Sequence, residues 1–136
     1  MKKFVIIKHV ISCIIPYIMV YAFYIEFNGE ESPGGGFQSG VIFASAAIAF
    51  DLLYKINFDR QLVTDILVVF SALGVVIYLC TGLISIIFGY NYLNYYVLSV
   101  NKCDGQHLGI FLVELGVGVT VSSIMVLIYL LLQKTD

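Results

Sequence analysis

Glu114 is the residue of this 136-residue chain whose setting most needs a chemical reason. It stands inside the apolar run from Leu108 to Leu132, and at about 1.5 Å per helical residue it lies roughly 9 Å below Leu108. An acid at that depth in a bilayer-spanning helix carries an insertion penalty of roughly 2.5 to 3.5 kcal/mol at the helix centre and is too short to snorkel out. It is expected to face the bundle interior or a partner, either protonated or matched with a cation. Two roles stay open on these grounds: a step on a proton or cation pathway, or a structural hydrogen-bonded acid.

The other ionisable residues have milder settings. Asp51 has Lys55 four residues on, the favourable order for an intrahelical pair, and reads as an anchor. Asp65, beside Thr64, is expected to open a helix whose positive end its carboxylate complements. Lys8 is near enough to a helix end for its stem to snorkel, and His9 can titrate near neutrality. His107 stands at the mouth of the last apolar run and reads as solvated. Cys13, Cys80 and Cys103 show no CxxC spacing and no histidine cluster, so neither a metal site nor a disulfide framework is expected. No paired acid and base, nucleophile elbow or zinc helix is present, so no catalytic residue and no cofactor is expected.

The segment Ser32-Pro33-Gly34-Gly35-Gly36-Phe37-Gln38-Ser39-Gly40 is the most distinctive. Consecutive glycines admit backbone conformations closed to other residues, at an entropic cost that helix formation alone does not justify. Irregular backbone at membrane depth survives only where protein or a water-filled cavity surrounds it. The segment is therefore either a re-entrant turn offering peptide groups to an ion path or a tight external turn feeding the next helix. No Gly-Lys-Ser/Thr follows, which excludes a Walker-type phosphate loop.

The elements that must position these residues are membrane helices. The chain is 60% hydrophobic and 12% charged, with a mean hydropathy of +0.98, far more apolar than soluble domains. Its apolar residues fall in long runs, not in the short alternating strands of an outer-membrane barrel. A net charge of -2 and scattered basic residues exclude a nucleic-acid surface. Four spans are expected, Phe4 to Ile25, Gly36 to Tyr54, Leu62 to Phe88 and Leu108 to Leu132, forming one all-α transmembrane domain over residues 1–136. The first run lacks a small-residue cleavage site and is expected to be retained as a span. Pro16 within it is expected to kink the helix. Lys2, Lys3, Lys8, Lys55, Arg60 and Lys134 fall on one side and Lys102 on the other, so both termini are expected in the cytoplasm. The loop carrying Glu26, Glu30 and Glu31 is then expected outside, and Tyr90, Tyr92, Tyr95 and Tyr96 suit an external headgroup region.

Lipid tails give helices no hydrophobic reason to associate, so small residues must let them pack closely. Gly36, Gly40 and Ala44 recur every four residues, with Ala47 and Asp51 on the same ridge. Ser71, Gly74, Thr81, Gly82 and Ser85 offer a second seam, and Gly109, Gly116, Gly118, Thr120 and Ser123 a third. With so many seams, the chain is expected to be one piece of a larger membrane assembly.

Pro33-Gly34-Gly35-Gly36-Phe37 with Gly40 behind it, and Ala49-Phe50-Asp51-Leu52 closing the same span, resemble the MnhB/MrpB family of the Mrp-type multi-subunit sodium/proton antiporters. Gly109-Ile110 and Glu114-Leu115-Gly116-Val117 are similar to the closing motif of that family, in which an acid precedes Leu-Gly-Val. The likeness runs from about Gly29 to Leu132. It implies a cell-membrane subunit of a hetero-oligomeric antiporter exchanging Na+ for H+, with other antiporter subunits as partners. The alternative it implies is a purely structural or assembly subunit of that complex or of a related membrane-bound hydrogenase-type complex. It also implies functional weight on Pro33 and Phe37. Many relatives carry His where this chain has Glu30, which leaves any proton-linked role of that position open.

Overall fold

The computed structural model describes residues 2–29, 33–54, 59–98 and 102–133. Its helices are α1 (Lys2–Phe27), α2 (Gly35–Tyr54), α3 (Arg60–Ile87) and α4 (Lys102–Gln133), with a short 3-10 turn at Tyr95–Leu98 before α4. Each of the four is long and apolar enough to cross a membrane, and no strand occurs among the described residues. α1 runs unbroken through Pro16.

Local chemistry sets where the helices begin and end. Asp59, extended at φ -61 and ψ 102, caps α3 by accepting a hydrogen bond from the Gln61 amide at 3.2 Å. Asp65 therefore does not open the helix as expected; it lies exposed in the second turn, beyond the reach of the helix-end dipole. At the other end of α3, the Gly89 amide donates to Ile86 and the Tyr90 amide to Ser85, with Gly89 at φ 79. That pattern is a Schellman stop. α4 begins at Lys102, ahead of the expected Leu108, because Asp104, Gln106 and His107 lower the local hydropathy without disfavouring a helix.

The helices stand side by side in the order α1, α2, α4, α3. α2 packs on both α1 and α4, α4 packs on both α2 and α3, and α1 touches α4 only slightly. Few large side chains are enclosed: among the described residues the buried apolar ones are Ile15, Ala22, Ile25, Ala44 and Ala46. Contact between helices runs instead through the small-residue seams.

α2 and α4 are parallel and in register. Gly36 lies against the Glu114 carbonyl, where a Cβ would overlap it, and a Cβ on Gly40 would stand 2.7 Å from the Gly118 carbonyl oxygen. Further along, Tyr129 donates to Asp51 at 2.9 Å across the same offset of 78 residues. α3 and α4 are antiparallel: a Cβ on Gly74 would stand 2.5 Å from the Gly116 carbonyl oxygen, and Thr120 donates to the Ser71 carbonyl at 3.3 Å. Gly82 and Gly109 serve neither helix pair, contrary to expectation. They receive the rings of Tyr92 and Tyr95, which fold the α3–α4 connection back onto the bundle. Ser85, fully buried, donates to the Asn94 carbonyl at 2.9 Å and fixes the same connection. Tyr90, Tyr92 and Tyr96 each keep much of their surface exposed.

Gly74→Val is expected to push α3 off α4 and to destabilise by roughly 1 to 3 kcal/mol through overpacking. Thermal melting in detergent checks this, with the exposed Val75→Ala as the control that changes little.

Candidate functional site

The junction of α1, α2 and α4 holds the two carboxylates of interest. α1 ends at Phe27, and the chain turns through Gly29 towards Pro33 and Gly34 before α2 begins at Gly35. Gly34 has φ 147 and Gly35 φ 60, the left-handed side that glycine tolerates. α2 begins at Gly35, one residue ahead of the expected Gly36, so Gly35 and Gly36 both lie in its first turn. From Gly35 onward the segment is regular helix, and close approach explains its composition. The Glu114 carboxylate occupies the space that a Cβ at Gly29 would fill, and its Oε1 would lie 3.0 Å from a Cβ at Gly35. Glu114 thus faces the bundle interior and shapes the turn.

The flanks of the motif point outward. Pro33 and Gly34 are exposed, and Phe37 is 59% exposed, whereas Gly36 and Gly40 are buried on α4. Glu30, Glu31 and Ser32 lie outside the described residues.

Glu26, in the last turn of α1, is the second carboxylate. Its Oε2 accepts a short hydrogen bond from the Ser39 hydroxyl of α2 and lies 2.8 Å from where a Cβ on Gly118 would stand. Gly118 is one helical turn beyond Glu114, so Glu26 sits roughly 6 Å deeper along α4 than Glu114. Its Oε1 is buried with no hydrogen-bond partner among the described residues. The sequence pattern alone assigns Glu26 to an external loop, and the structure corrects this. Glu26 stands between Ile25 and Phe27 at the end of α1, where an exit from the membrane and a turn into a neighbour look alike in the sequence.

A cavity of about 270 Å³ opens beside Glu26. Phe23, Phe27, Phe43, Phe111, Leu115 and Val119 give it apolar walls, while Glu26, Ser39 and Ser122 supply its polar side chains. Phe27 stacks on Phe111 with centroids 5.9 Å apart, and Phe23 meets Phe43 edge-on at 5.7 Å. A carboxylate and hydroxyls are hard oxygen donors, suited to a proton or to a small hard cation and unsuited to soft metals. Among the described residues no group of His, Cys, Asp and Glu has the arrangement of a multidentate metal centre.

The opposite end of the bundle is anchored differently. Asp51 accepts from Tyr129, whose oxygen in turn accepts from Gln133 Nε2 at 3.3 Å. The expected partner of Asp51, Lys55, lies outside the described residues. Ser12 bonds the Tyr54 hydroxyl at 2.8 Å, and the Lys8 ammonium lies 4.7 Å from the Tyr54 ring centroid. His107 is exposed on the second turn of α4.

The profile of the family described as a domain related to the MnhB subunit of Na+/H+ antiporter matches residues 6–127. The chain belongs to the MnhB family. It is 28% identical over 114 residues to the B subunit of the Na(+)/H(+) antiporter of Bacillus subtilis (strain 168), covering 76% of this chain and 80% of that protein. It is also 28% identical over 132 residues to the putative antiporter subunit mnhB2 of Staphylococcus aureus (strain Newman), covering 95% and 94%. This MnhB-family chain is a multi-pass membrane protein, and its relatives are subunits that work beside other antiporter subunits.

Gly35→Ala is expected to cost about 1 to 2 kcal/mol, because an L side chain is strained at positive φ and meets the Glu114 carboxylate. Pro33→Ala, at an exposed bend, is expected to stay within about 0.5 kcal/mol. Tyr129→Phe is expected to cost about 1 kcal/mol through the lost bond to Asp51. Melting of each variant in detergent, compared with the parent, tests the three values.

Proposed function

We propose that this chain is the MnhB-type membrane subunit of a multi-subunit Na+/H+ antiporter in the cell membrane, a transport component with no catalytic centre of its own. The observation that carries this reading is the family match along residues 6–127. Na+ and H+ are the ions moved, and no cofactor takes part. Both termini lie in the cytoplasm, in keeping with the bias of basic residues, so the α1–α2 turn and the Tyr92–Tyr95 connection lie at the external end.

In this role Glu114 and the turn from Pro33 to Gly40 shape the external end of a cation route. The carboxylate is placed by backbone packing on Gly29, Gly35 and Gly36, which fixes its position without a long flexible side chain. Phe37 and Pro33 project from the turn towards neighbouring subunits or lipid. The competing reading is a subunit that only seals and positions the ion-carrying ones. It draws on the same packing, because a Glu114 that merely shapes the turn needs no charge.

Glu114→Gln keeps the shape and removes the charge. Loss of sodium-dependent proton exchange in everted vesicles, with the complex still assembled on native gels, is the expected result. Full exchange by the assembled variant would instead assign the residue to packing.

A further inference from the structure

We propose that Glu26 is a binding site at which a proton and a monovalent metal cation replace one another, with the Ser39 hydroxyl as its second ligand. This rests on the antiporter reading and extends it to a residue, Glu26, that the quoted family motifs do not include.

Three features of the junction support it. First, among the described residues that line the cavity Glu26 is the one ionisable side chain, so none of them supplies a fixed cation to neutralise it. Charge balance inside an apolar wall must then come from a bound proton or a bound cation. Second, one carboxylate oxygen, Oε1, is buried without a hydrogen-bond partner among the described residues while Oε2 is engaged by Ser39. A buried acceptor left alone is costly, and a proton or a cation relieves that cost.

Third, Ser39 can serve both occupants. Its hydroxyl has one hydrogen and two acceptors in reach, Glu26 Oε2 and the Gly36 carbonyl at 2.9 Å. When Glu26 is ionised, the hydroxyl donates to it. When Glu26 holds a proton or a cation, the hydroxyl turns its hydrogen to Gly36 and presents a lone pair to the O–H or to the ion. The exchange therefore needs a rotation of one hydroxyl and no movement of a helix. Among the described residues Ser122 also lines the cavity, and Glu114, one turn from Gly118 on α4, carries its carboxylate beside Gly29 and Gly35. A second negative charge nearby favours whichever cation Glu26 holds.

The test uses dicyclohexylcarbodiimide, an apolar reagent that reacts with protonated carboxyl groups in apolar surroundings. The acid O–H adds across a C=N bond, the carboxyl oxygen bonding to carbon and the proton passing to nitrogen. Acyl transfer from oxygen to nitrogen then leaves a stable N-acylurea, with nothing oxidised or reduced. Unenergised native membranes holding the assembled complex are treated, and the peptide bearing Glu26 is read by mass spectrometry.

The expected result is that Glu26 is modified and that NaCl, unlike choline chloride at equal ionic strength, suppresses the modification. Glu26→Gln abolishes the label. Ser39→Ala keeps the label but raises the NaCl concentration for half-protection about tenfold, the effect of one lost ligand to a charged group. Absence of label on Glu26 overturns the proposal, as does label that NaCl protects no better than choline, or unchanged protection in Ser39→Ala. Because labelling needs no transport, such a failure alongside intact sodium-dependent exchange removes Glu26 alone. Loss of the antiporter reading would appear instead as absence of that exchange in vesicles of the parent complex.

Discussion

The fold depends on how closely α2 approaches α4. In a bilayer, apolar side chains gain nothing by leaving lipid for protein, so two helices stay together only where their backbones come near enough for dispersion contact and polar bonds. Gly36 on Glu114 and Gly40 on Gly118 provide that approach at one end, and the Asp51–Tyr129 hydrogen bond holds the other. All three share one register. A side chain at either glycine would part the helices and with them the turn that Glu114 occupies, so the packing seam and the candidate site are one construction.

The same approach explains why the carboxylates sit where they do. Glu114 is carried on the backbone that meets Gly36, and its side chain runs into space kept free by Gly29 and Gly35. Glu26 arrives from α1 and reaches α4 only because Gly118 presents no side chain to it. The two acids are thus held one helical turn apart by glycines on other helices. α1 contributes little else to α4, so the cavity beside Glu26 is the gap between helices that meet chiefly through α2.

The four helices were legible in the sequence because their apolar runs are long and loops interrupt them with charge and glycine. Their ends were less so. Asp65 looked like the opening acid of α3 because it adjoins the hydrophobic run, yet Asp59 takes the cap, since capping depends on an extended backbone and a reachable amide rather than on where hydropathy rises. Glu114 was legible as an interior acid from its depth in a span. Glu26 was not, because nothing in a linear pattern tells an acid leaving the membrane from one turned into a neighbouring helix. That Tyr92 and Tyr95 pack on Gly82 and Gly109 was not legible either, since only the fold brings those partners together.

α4 is much the longer of the two parallel helices: at their shared register its first residues run about eleven positions past the start of α2, roughly 16 Å. Those first three turns of α4 therefore have no part of α2 beside them, and it is the ring of Tyr95, seated on Gly109, that takes up part of the flank α2 leaves bare.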